Sequence, residues 1–258
     1  MNEFLRKIYW VLSMQFGFDP RRLMRSLRGI PRYVTDLAQF RRQYAGVLAL
    51  RPCLYDWYEE GGAAGSEYFL QDLHVARKIF DANPTRHVDI GSRIDGFVAH
   101  VASFREVEVF DIRPVKSLIP GVIFSQADLM NPANPNIAYC DSLSCLHALE
   151  HFGLGRYGDA VDPQGFSVGL RNMAGLVTAG GVLYLSVPVG QGRVEFNAHR
   201  ISDPVGLVAL AHTFGLQLFA FAWVSGGKLH QCTADFATVL ESLRSQRYAL
   251  GIFTFLKS

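Results

Sequence analysis

Cysteine is scarce in this chain. Four occur in 258 residues, Cys53, Cys140, Cys145 and Cys232, and no two are spaced C-x-x-C. That argues against a zinc ribbon or a disulfide framework and fits a reducing, cytoplasmic setting. Long hydrophobic runs are missing too. The stretch IYWVLSMQFGF, Ile8 to Phe18, covers eleven residues, where a bilayer helix needs about twenty. It lacks the small-residue site of a cleaved signal peptide. Internal repeats and low-complexity tracts are absent. The net charge is only +2, from 25 Lys and Arg against 23 Asp and Glu.

The charge is unevenly placed. Residues 1–51 carry 10 Lys and Arg against 3 Asp and Glu, and the remainder carries 15 against 20. The expected organisation is a basic helical arm over residues 1–65 and an α/β domain over 66–258. Arg21, Arg22, Arg25, Arg28, Arg41 and Arg42 either form a solvated helical face or meet something acidic: a membrane surface, a polymer, or the chain's own acidic side. The aromatic residues near Arg6 and Lys7 either lie in a membrane interface or pack on the body. Nucleic acid is not expected, because no base-stacking or groove-reading motif accompanies the arginines. Nothing in the sequence fixes an oligomeric state.

Breaks near Asp19-Pro20 and Gly29-Ile30-Pro31 divide the first fifty residues into two or three helices. SEYFLQDLHVARKIFDANP, Ser66 to Pro84, is a capped helix with Phe69, Leu70, Leu73, Ala76, Ile79 and Phe80 as its apolar stripe. Strands and helices then alternate: HVDIGS, IDGFVAHVASF, EVEVFDI, GVIFSQADL, YCDSLSCLHALEHF, SVGLRNMAGLVTAGG, VLYLSVPV, DPVGLVALAHTFG, LQLFAFAWVS, FATVLESLRSQ and ALGIFTFLK. The sixth of these is a helix stopped by Gly180-Gly181. Such alternation predicts a mostly parallel sheet covered on both faces. Ligands of such sheets bind at the carboxyl ends of the strands, where strand order reverses.

Acidic residues fall at those ends. The first strand carries Asp89 and runs into Gly91, Ser92 and Arg93; the second ends at Asp111 and Ile112; the third is followed by Asp128 and Leu129. Asp111 stands twenty positions after Gly91. It either accepts ribose hydroxyls or caps the turn D-I-R-P. The motifs VDIGSRIDGF, VFDI, ADL, CDSLSCLHALEHF and GLVTAGGVLYLSVP together resemble the class I S-adenosylmethionine-dependent methyltransferases. The resemblance covers residues 85–258. It implies a Rossmann-like methyltransferase fold with a seven-stranded, mostly parallel sheet flanked by helices. It also implies S-adenosyl-L-methionine near Gly91, Ser92 and His147, with its ribose on Asp111 and its adenine near Asp128 and Leu129. Where that family carries further glycines, this chain has Arg93 and Asp95; a guanidinium there could meet the methionine carboxylate.

The stretch HALEHFGLGRYGD, His147 to Asp159, follows the fourth strand. His147, Glu150 and His151 fall at i, i+3 and i+4, one face of a helix, and Gly153, Gly155 and Gly158 permit a loop folded over the site. His151, Glu150 and Asp159 are the candidate catalytic groups, with His151 as base to an acceptor hydroxyl. His147 and His151 each have a second reading, as a tie to a neighbouring carbonyl. Glu150, His151, Asp159 and Asp162 could alternatively hold Mg²⁺ or Mn²⁺, although no metal is expected. Arg156, Tyr157, Glu195, Asn197, His199 and Arg200 are candidate acceptor contacts; the last four otherwise belong to a plain polar hairpin. EHFGLGRYGD with FNAHR is similar to an uncharacterised bacterial group of methyltransferase-like proteins associated with surface-polysaccharide synthesis. That similarity implies a sugar or glycan acceptor and O-methyl transfer. A lipid-linked or small-molecule acceptor, and a non-catalytic module of a polysaccharide assembly complex, are the alternatives.

Overall fold

The computed structural model describes residues 3–59, 61–62, 64–131 and 137–258. The chain forms two compact units, Met1–Ala63 and Ala64–Ser258. No helix among the described residues is long and apolar enough to cross a membrane.

In the first unit, α1 (Glu3–Trp10) continues through a wider helical turn, Val11–Gln15, and the chain then breaks at Gly17, whose φ is +67°. Asp19 starts α2 (Pro20–Gln43) by accepting from the Arg21 and Arg22 backbone N–H groups. Pro20 fills the first turn, where its missing N–H costs nothing. The break expected at Gly29-Ile30-Pro31 does not occur, and α2 runs through it. Pro31 removes a single donor from an otherwise continuous ladder. Gly29 has a packing role instead: a Cβ there would stand 1.9 Å from the Leu54 carbonyl oxygen, so only glycine lets the returning chain cross so closely.

The second unit opens with α3 (Glu67–Ala82), capped by Ser66, whose hydroxyl accepts from the Phe69 N–H at 3.2 Å. Its buried face differs from the expected stripe. Ala76 and Ile79 are buried as predicted, but Phe69, Leu73 and Phe80 are exposed, while Gln71, Asp72 and Val75 face inward. Two polar residues on a buried helical face mark a place where hydrogen bonding outweighs the cost of desolvation.

There follow β1 (His87–Ile90), an irregular turn at Ile94–Val98, α4 (Ala99–Ala102), β2 (Val107–Asp111), β3 (Val122–Gln126), β4 (Cys140–Leu146), α5 (Gly165–Leu176), β5 (Val177–Val189), β6 (Arg193–Glu195), β7 (His199–Ile201), α6 (Pro204–Thr213), β8 (Leu216–Ser225), β9 (Lys228–Cys232), α7 (Phe236–Arg244) and β10 (Ala249–Lys257). The main sheet has eight strands in the order β3-β2-β1-β4-β5-β10-β8-β9. The first five are parallel, and β10, β8 and β9 are antiparallel to their neighbours. The expected count of seven is corrected by β9. A Gly226-Gly227 turn, with φ of +59° and +72°, makes the hairpin. That dipeptide between two apolar runs is a hairpin signal that the sequence reading passed over.

A second correction concerns α5. It stops at Leu176, and Gly180-Gly181 lie inside β5 rather than ending a helix. Cys140 pairs with Val177 but Ser142 with Val182, so β5 accommodates extra residues through Gly180, at φ +77°. Two hydrophobic clusters fill the two sides of the sheet, one containing Leu143, Leu170, Met173 and Phe253, the other Ile79, Phe97, Val109 and Ile252. Strand order reverses between β1 and β4, and that places the site.

A buried polar chain crosses this reversal. Asp89, 0% exposed, accepts from the Ser92 N–H (3.0 Å), the Ser92 hydroxyl (2.7 Å) and the Ser144 hydroxyl (2.6 Å). Ser92 Oγ accepts in turn from the Leu146 N–H at 3.1 Å. His87 lies 3.1 Å from Ser144 Oγ through Nε2 and 2.8 Å from Ser142 Oγ through Nδ1. Because the Ser144 proton goes to Asp89, His87 donates from Nε2 and accepts at Nδ1. Burial holds the His87 pKa down at about 3 and lifts that of Asp89 to about 6.

These shifts act in opposite directions on stability. From about pH 3 to 6.5 the unfolded chain takes up a proton on His87 that the folded chain refuses, so this histidine makes stability rise with pH. From about pH 4 to 6 the folded chain keeps a proton on Asp89 that the unfolded chain has released, so the carboxyl makes stability fall with pH. In a His87→Gln variant only the Asp89 contribution remains. The stability difference, parent minus variant, should grow with pH between 4 and 6.5 by up to about 1.4 kcal/mol per unit. Urea unfolding of both proteins across that range measures it; a constant difference would show that His87 charges freely in the folded chain.

Candidate functional site

The carboxyl ends of β1, β2, β3 and β4 converge around the first loop. Gly91 has φ +67°, and its N–H bonds the Phe110 carbonyl at 2.9 Å, tying the loop to β2. A Cβ on Gly91 would press on the Ala148 Cβ at 3.1 Å, so glycine also lets the turn after β4 come close. Asp89 and Ser92 serve as the internal brace described above. Arg93 is turned to its neighbour: its guanidinium meets the Asp95 carboxylate at 2.9 and 3.2 Å and lies 5.2 Å from the Tyr68 ring.

Asp111 ends β2, and its carboxylate is largely spoken for. Arg113 gives it the backbone N–H (2.8 Å), Nε (3.1 Å) and a terminal nitrogen (2.8 Å). A carboxylate offers about four acceptor positions, so a ribose diol has room for two hydroxyls only if the guanidinium withdraws. Ile112 carbonyl accepts from Gln126 Nε2, Asp128 accepts from the Met130 N–H, and buried Leu129 gives its carbonyl to Asn172. The first three strand ends thus carry the predicted acids, and Asp111 and Asp128 also have the turn-capping role.

The end of β4 holds the most unusual electrostatics. His147 is not helical: it sits at φ +55°, a conformation that costs a non-glycine residue about 1 kcal/mol or more. Leu149–His151 form a single tight turn. The predicted trio still meets. His147 Nδ1 lies 2.7 Å from Glu150 Oε1, and His151 Nε2 lies 3.8 Å from the same oxygen. Burial pulls the His147 pKa down, but the bonded Glu150 carboxylate, with Glu67 and Asp72 beyond it, outweighs that and leaves it raised. Burial pushes Glu150 up, and His147 more than reverses it. Within this buried pair each partner favours the other's charged form. His147 Nε2 and Glu150 Oε2 are both buried without any partner. Such orphans cost about 1–3 kcal/mol each.

His151 is the opposite case. Burial lowers its pKa despite Glu150. Its Nδ1 lies 2.7 Å from the Ala198 carbonyl, so the proton sits there and the lone pair is on Nε2, which makes no hydrogen bond. Tyr157 packs edge-on against this ring at 5.3 Å, and the Arg113 and Arg156 guanidinium groups lie 4.3 and 5.1 Å from the Tyr157 ring.

Five candidates, Asp159, Asp162, Arg200, Arg156 and Glu195, have partners within the chain. Asp159, a predicted catalytic group, accepts from the backbone N–H groups of Gly153 (2.8 Å), Gly155 (3.1 Å) and Tyr157 (3.1 Å), and so shapes the loop. Asp162 accepts from the Gln164 N–H. No group of three or more His, Cys, Asp or Glu among the described residues is placed to hold an ion. Arg200 donates to the Phe152 and Glu150 carbonyls, anchoring the turn after β4 from β7 rather than facing a free anion. Arg156 binds the Ala198 carbonyl at 2.7 Å. Glu195 pairs with Arg193 and His199, and exposed Asn197 lies in the β6–β7 loop.

Sequence reasoning missed a second tier. Gln71 accepts from the Ser186 hydroxyl (2.6 Å) and donates to buried Asp72 (2.8 Å), and Ser186 carbonyl takes the His147 N–H (2.9 Å). The Tyr68 ring packs tilted against His147, centroids 4.6 Å apart. The signal was available as polar residues interrupting an apolar helix and strand, LQDL and LSVP.

Residues 124–239 match a family described as "Caenorhabditis protein of unknown function, DUF268". No curated protein matches the chain. Among solved structures it is similar to 1,6-didemethyltoxoflavin-N1-methyltransferase from Burkholderia thailandensis, which holds 1,6-didemethyltoxoflavin and S-adenosylhomocysteine. The TM-score is 0.50 and the identity 14%, over 82% of this chain and 93% of that one. It is similar also to a SAM-dependent methyltransferase from Thermotoga maritima, with TM-score 0.50 and 12% identity over 79% and 95%. The chain has a Rossmann-like methyltransferase fold. Within this methyltransferase fold, β9 is an added edge strand on the side of the sheet away from β1 and β4.

The loop after β4 should depend on Asp159 for its shape. Asp159→Ala leaves three backbone N–H groups without their acceptor. It should cost about 1–3 kcal/mol in urea unfolding and open residues 153–159 to limited proteolysis. A variant as stable and as resistant as the parent would free Asp159 from this structural role.

Proposed function

We propose that this chain is an S-adenosyl-L-methionine-dependent methyltransferase that acts on a hydroxyl group, with a saccharide as the acceptor. The observation that carries the reading is His151: a buried imidazole, its pKa lowered, with an unbonded Nε2 lone pair, at the strand-order reversal of a methyltransferase fold. The residues present fit the cofactor. Gly91 offers close backbone approach, Asp111 an acceptor for ribose, and His147 Nε2 and Glu150 Oε2 a buried donor and acceptor that lack partners in the chain. When bound, the cofactor supplies an activated methyl group. His151 takes the acceptor hydroxyl's proton at Nε2 while the Ala198 carbonyl holds Nδ1–H and so fixes the tautomer. Glu150 acts as a positioning residue, stabilising the imidazolium that forms. Tyr157, Arg156 and Asn197 lie on the segments that flank His151 and suit a polyhydroxylated acceptor. The likeness of EHFGLGRYGD and FNAHR to polysaccharide-associated proteins supports the sugar. A role in surface-polysaccharide synthesis rests on that likeness.

The Asp111–Arg113 pairing favours a second reading, a methyltransferase-like module that binds without catalysis. Calorimetry separates the two. On the catalytic reading adenosylhomocysteine binds, Asp111→Ala weakens it by about 1.5–3 kcal/mol, and Arg113→Ala leaves affinity equal or higher because the carboxylate is released. His151→Ala should lower turnover of labelled adenosylmethionine with a glycan acceptor by about 10²–10⁴-fold at unchanged cofactor affinity. No binding of adenosylmethionine or adenosylhomocysteine would favour the module. Normal turnover of the His151 variant would leave that histidine as a structural tie.

A further inference from the structure

Helix α2 is packed on the side opposite to its apolar stripe. At about 100° per residue, Leu23, Met24, Leu27, Ile30 and Val34 share one arc of the helix with the ring of Pro31. Every one of those five side chains is exposed, Met24 at 72% and Val34 at 56%. The returning segment lies across the other side, where the Leu54 carbonyl presses on Gly29. There the segment's aromatic rings take up arginines: Tyr55 lies 4.1 Å from Arg22, Trp57 3.0 Å from Arg32 and Tyr58 5.3 Å from Arg28. A helix in a water-soluble unit normally turns its apolar stripe to its own core. Here the returning segment packs on the arginine side, with those arginines still exposed, and the apolar face is left open.

The rest of the first unit follows suit. Among the described residues, those of the first unit show 17 exposed large hydrophobic side chains, whereas those of the three-fold longer remainder show 12. Phe16, Phe18 and Met14, after α1, are among them. Contiguous exposure on this scale marks an interaction surface.

Charge selects the occupant. Helix α2 carries seven arginines and one acidic residue, Asp36. Arg41 and Arg42 are exposed at the stripe's carboxyl-terminal end. A second copy packed on the stripe would bring its own Arg41 and Arg42 to the contact, and the one acidic residue, Asp36, lies on the opposite side of the helix. A negatively charged lipid surface satisfies both halves of the pattern, since acyl chains take the stripe and headgroups take the cations. We propose that the exposed face of α2, with the aromatic residues after α1, docks in the plane of an anionic lipid surface. This does not rest on the methyl-transfer reading, since no cofactor residue lies in the first unit.

Flotation of the full chain with lipid vesicles tests it. The protein should float with phosphatidylcholine vesicles containing phosphatidylglycerol and stay behind with phosphatidylcholine alone, and high salt should cut the bound fraction by at least about tenfold. A triple variant, Leu23→Gln, Leu27→Gln and Val34→Gln, changes only solvent-facing positions and should lose about tenfold or more in binding with unaltered far-ultraviolet circular dichroism. Should that variant misfold, Arg41→Gln with Arg42→Gln provides the second measurement and should weaken binding severalfold through charge alone. The proposal is overturned if the parent chain does not bind the anionic vesicles, if neither variant weakens binding, or if sedimentation shows the parent chain pairing through this stripe and only the monomeric Gln variant binding lipid.

Discussion

Asp89 carries a carboxylate into the interior of a parallel sheet, where an unpaired charge would be ruinous. Two hydroxyls and one backbone N–H make it tolerable. Those same three bonds decide the geometry around them. They hold Ser92 beneath the first loop, and Ser92 then holds the Leu146 N–H, so the ends of β1 and β4 are fixed to each other through a single side chain. Everything that follows β4 inherits its position from that bond: the left-handed turn at His147, the close contact of Ala148 on Gly91, and the placement of Glu150. A glycine-rich first loop could bend freely around a ligand. This loop, with Arg93 closed onto Asp95, is braced from below and stiffened from above.

The β1–β4 reversal and its acids were legible in the sequence because they depend on local pattern. Apolar runs that end in Gly or Asp, separated by helical spacing, leave few arrangements other than a parallel sheet. The trio His147, Glu150 and His151 was legible as a set, although for the wrong reason, since His147 is not helical. What sequence spacing could not show was where each side chain spends its hydrogen bonds. Asp159 looks in sequence like a catalytic acid, and the fold shows its oxygens accepting from the N–H groups of Gly153, Gly155 and Tyr157. Arg200 resembles an anion binder, yet it ties down carbonyls 48 and 50 positions earlier in the chain. Gln71 and Ser186 escaped notice for the converse reason: 115 residues apart, they look like interruptions until folding brings them within 2.6 Å.

The same distinction explains the helices. Pro31 and Gly29 are local breakers, and the break they predict is overridden because Gly29 is needed for the crossing at Leu54. The predicted stop at Gly180-Gly181 gave way to a strand irregularity, since the pairing of Cys140 with Val177 and Ser142 with Val182 requires residues that can bulge. In each case a tertiary contact, not propensity, sets the boundary.

The two histidines after β4 show how one carboxylate creates two chemical states. Glu150 Oε1 touches His147 at 2.7 Å and stands 3.8 Å from His151. At the shorter distance the hydrogen bond to the Glu150 carboxylate outweighs burial and raises the His147 pKa. At the longer distance there is no hydrogen bond, burial dominates, and His151 stays neutral. Arg156 beside it adds to the penalty for a second positive charge. Groups whose environments push their protonation apart are how a site keeps an acid and a base at one pH. Glu150 raises the His147 pKa, whereas burial lowers that of His151, which is pinned through Nδ1 with its lone pair on Nε2. Exchanging the two roles would require moving Glu150, which the Arg200 grip on its backbone carbonyl and on that of Phe152 resists. The hairpin of β6 and β7 therefore does more than border the site. It supplies both Arg200, which fixes the carboxylate's turn, and the Ala198 carbonyl, which selects the His151 tautomer, so the basicity of one imidazole is set from two neighbouring points on a single short ribbon.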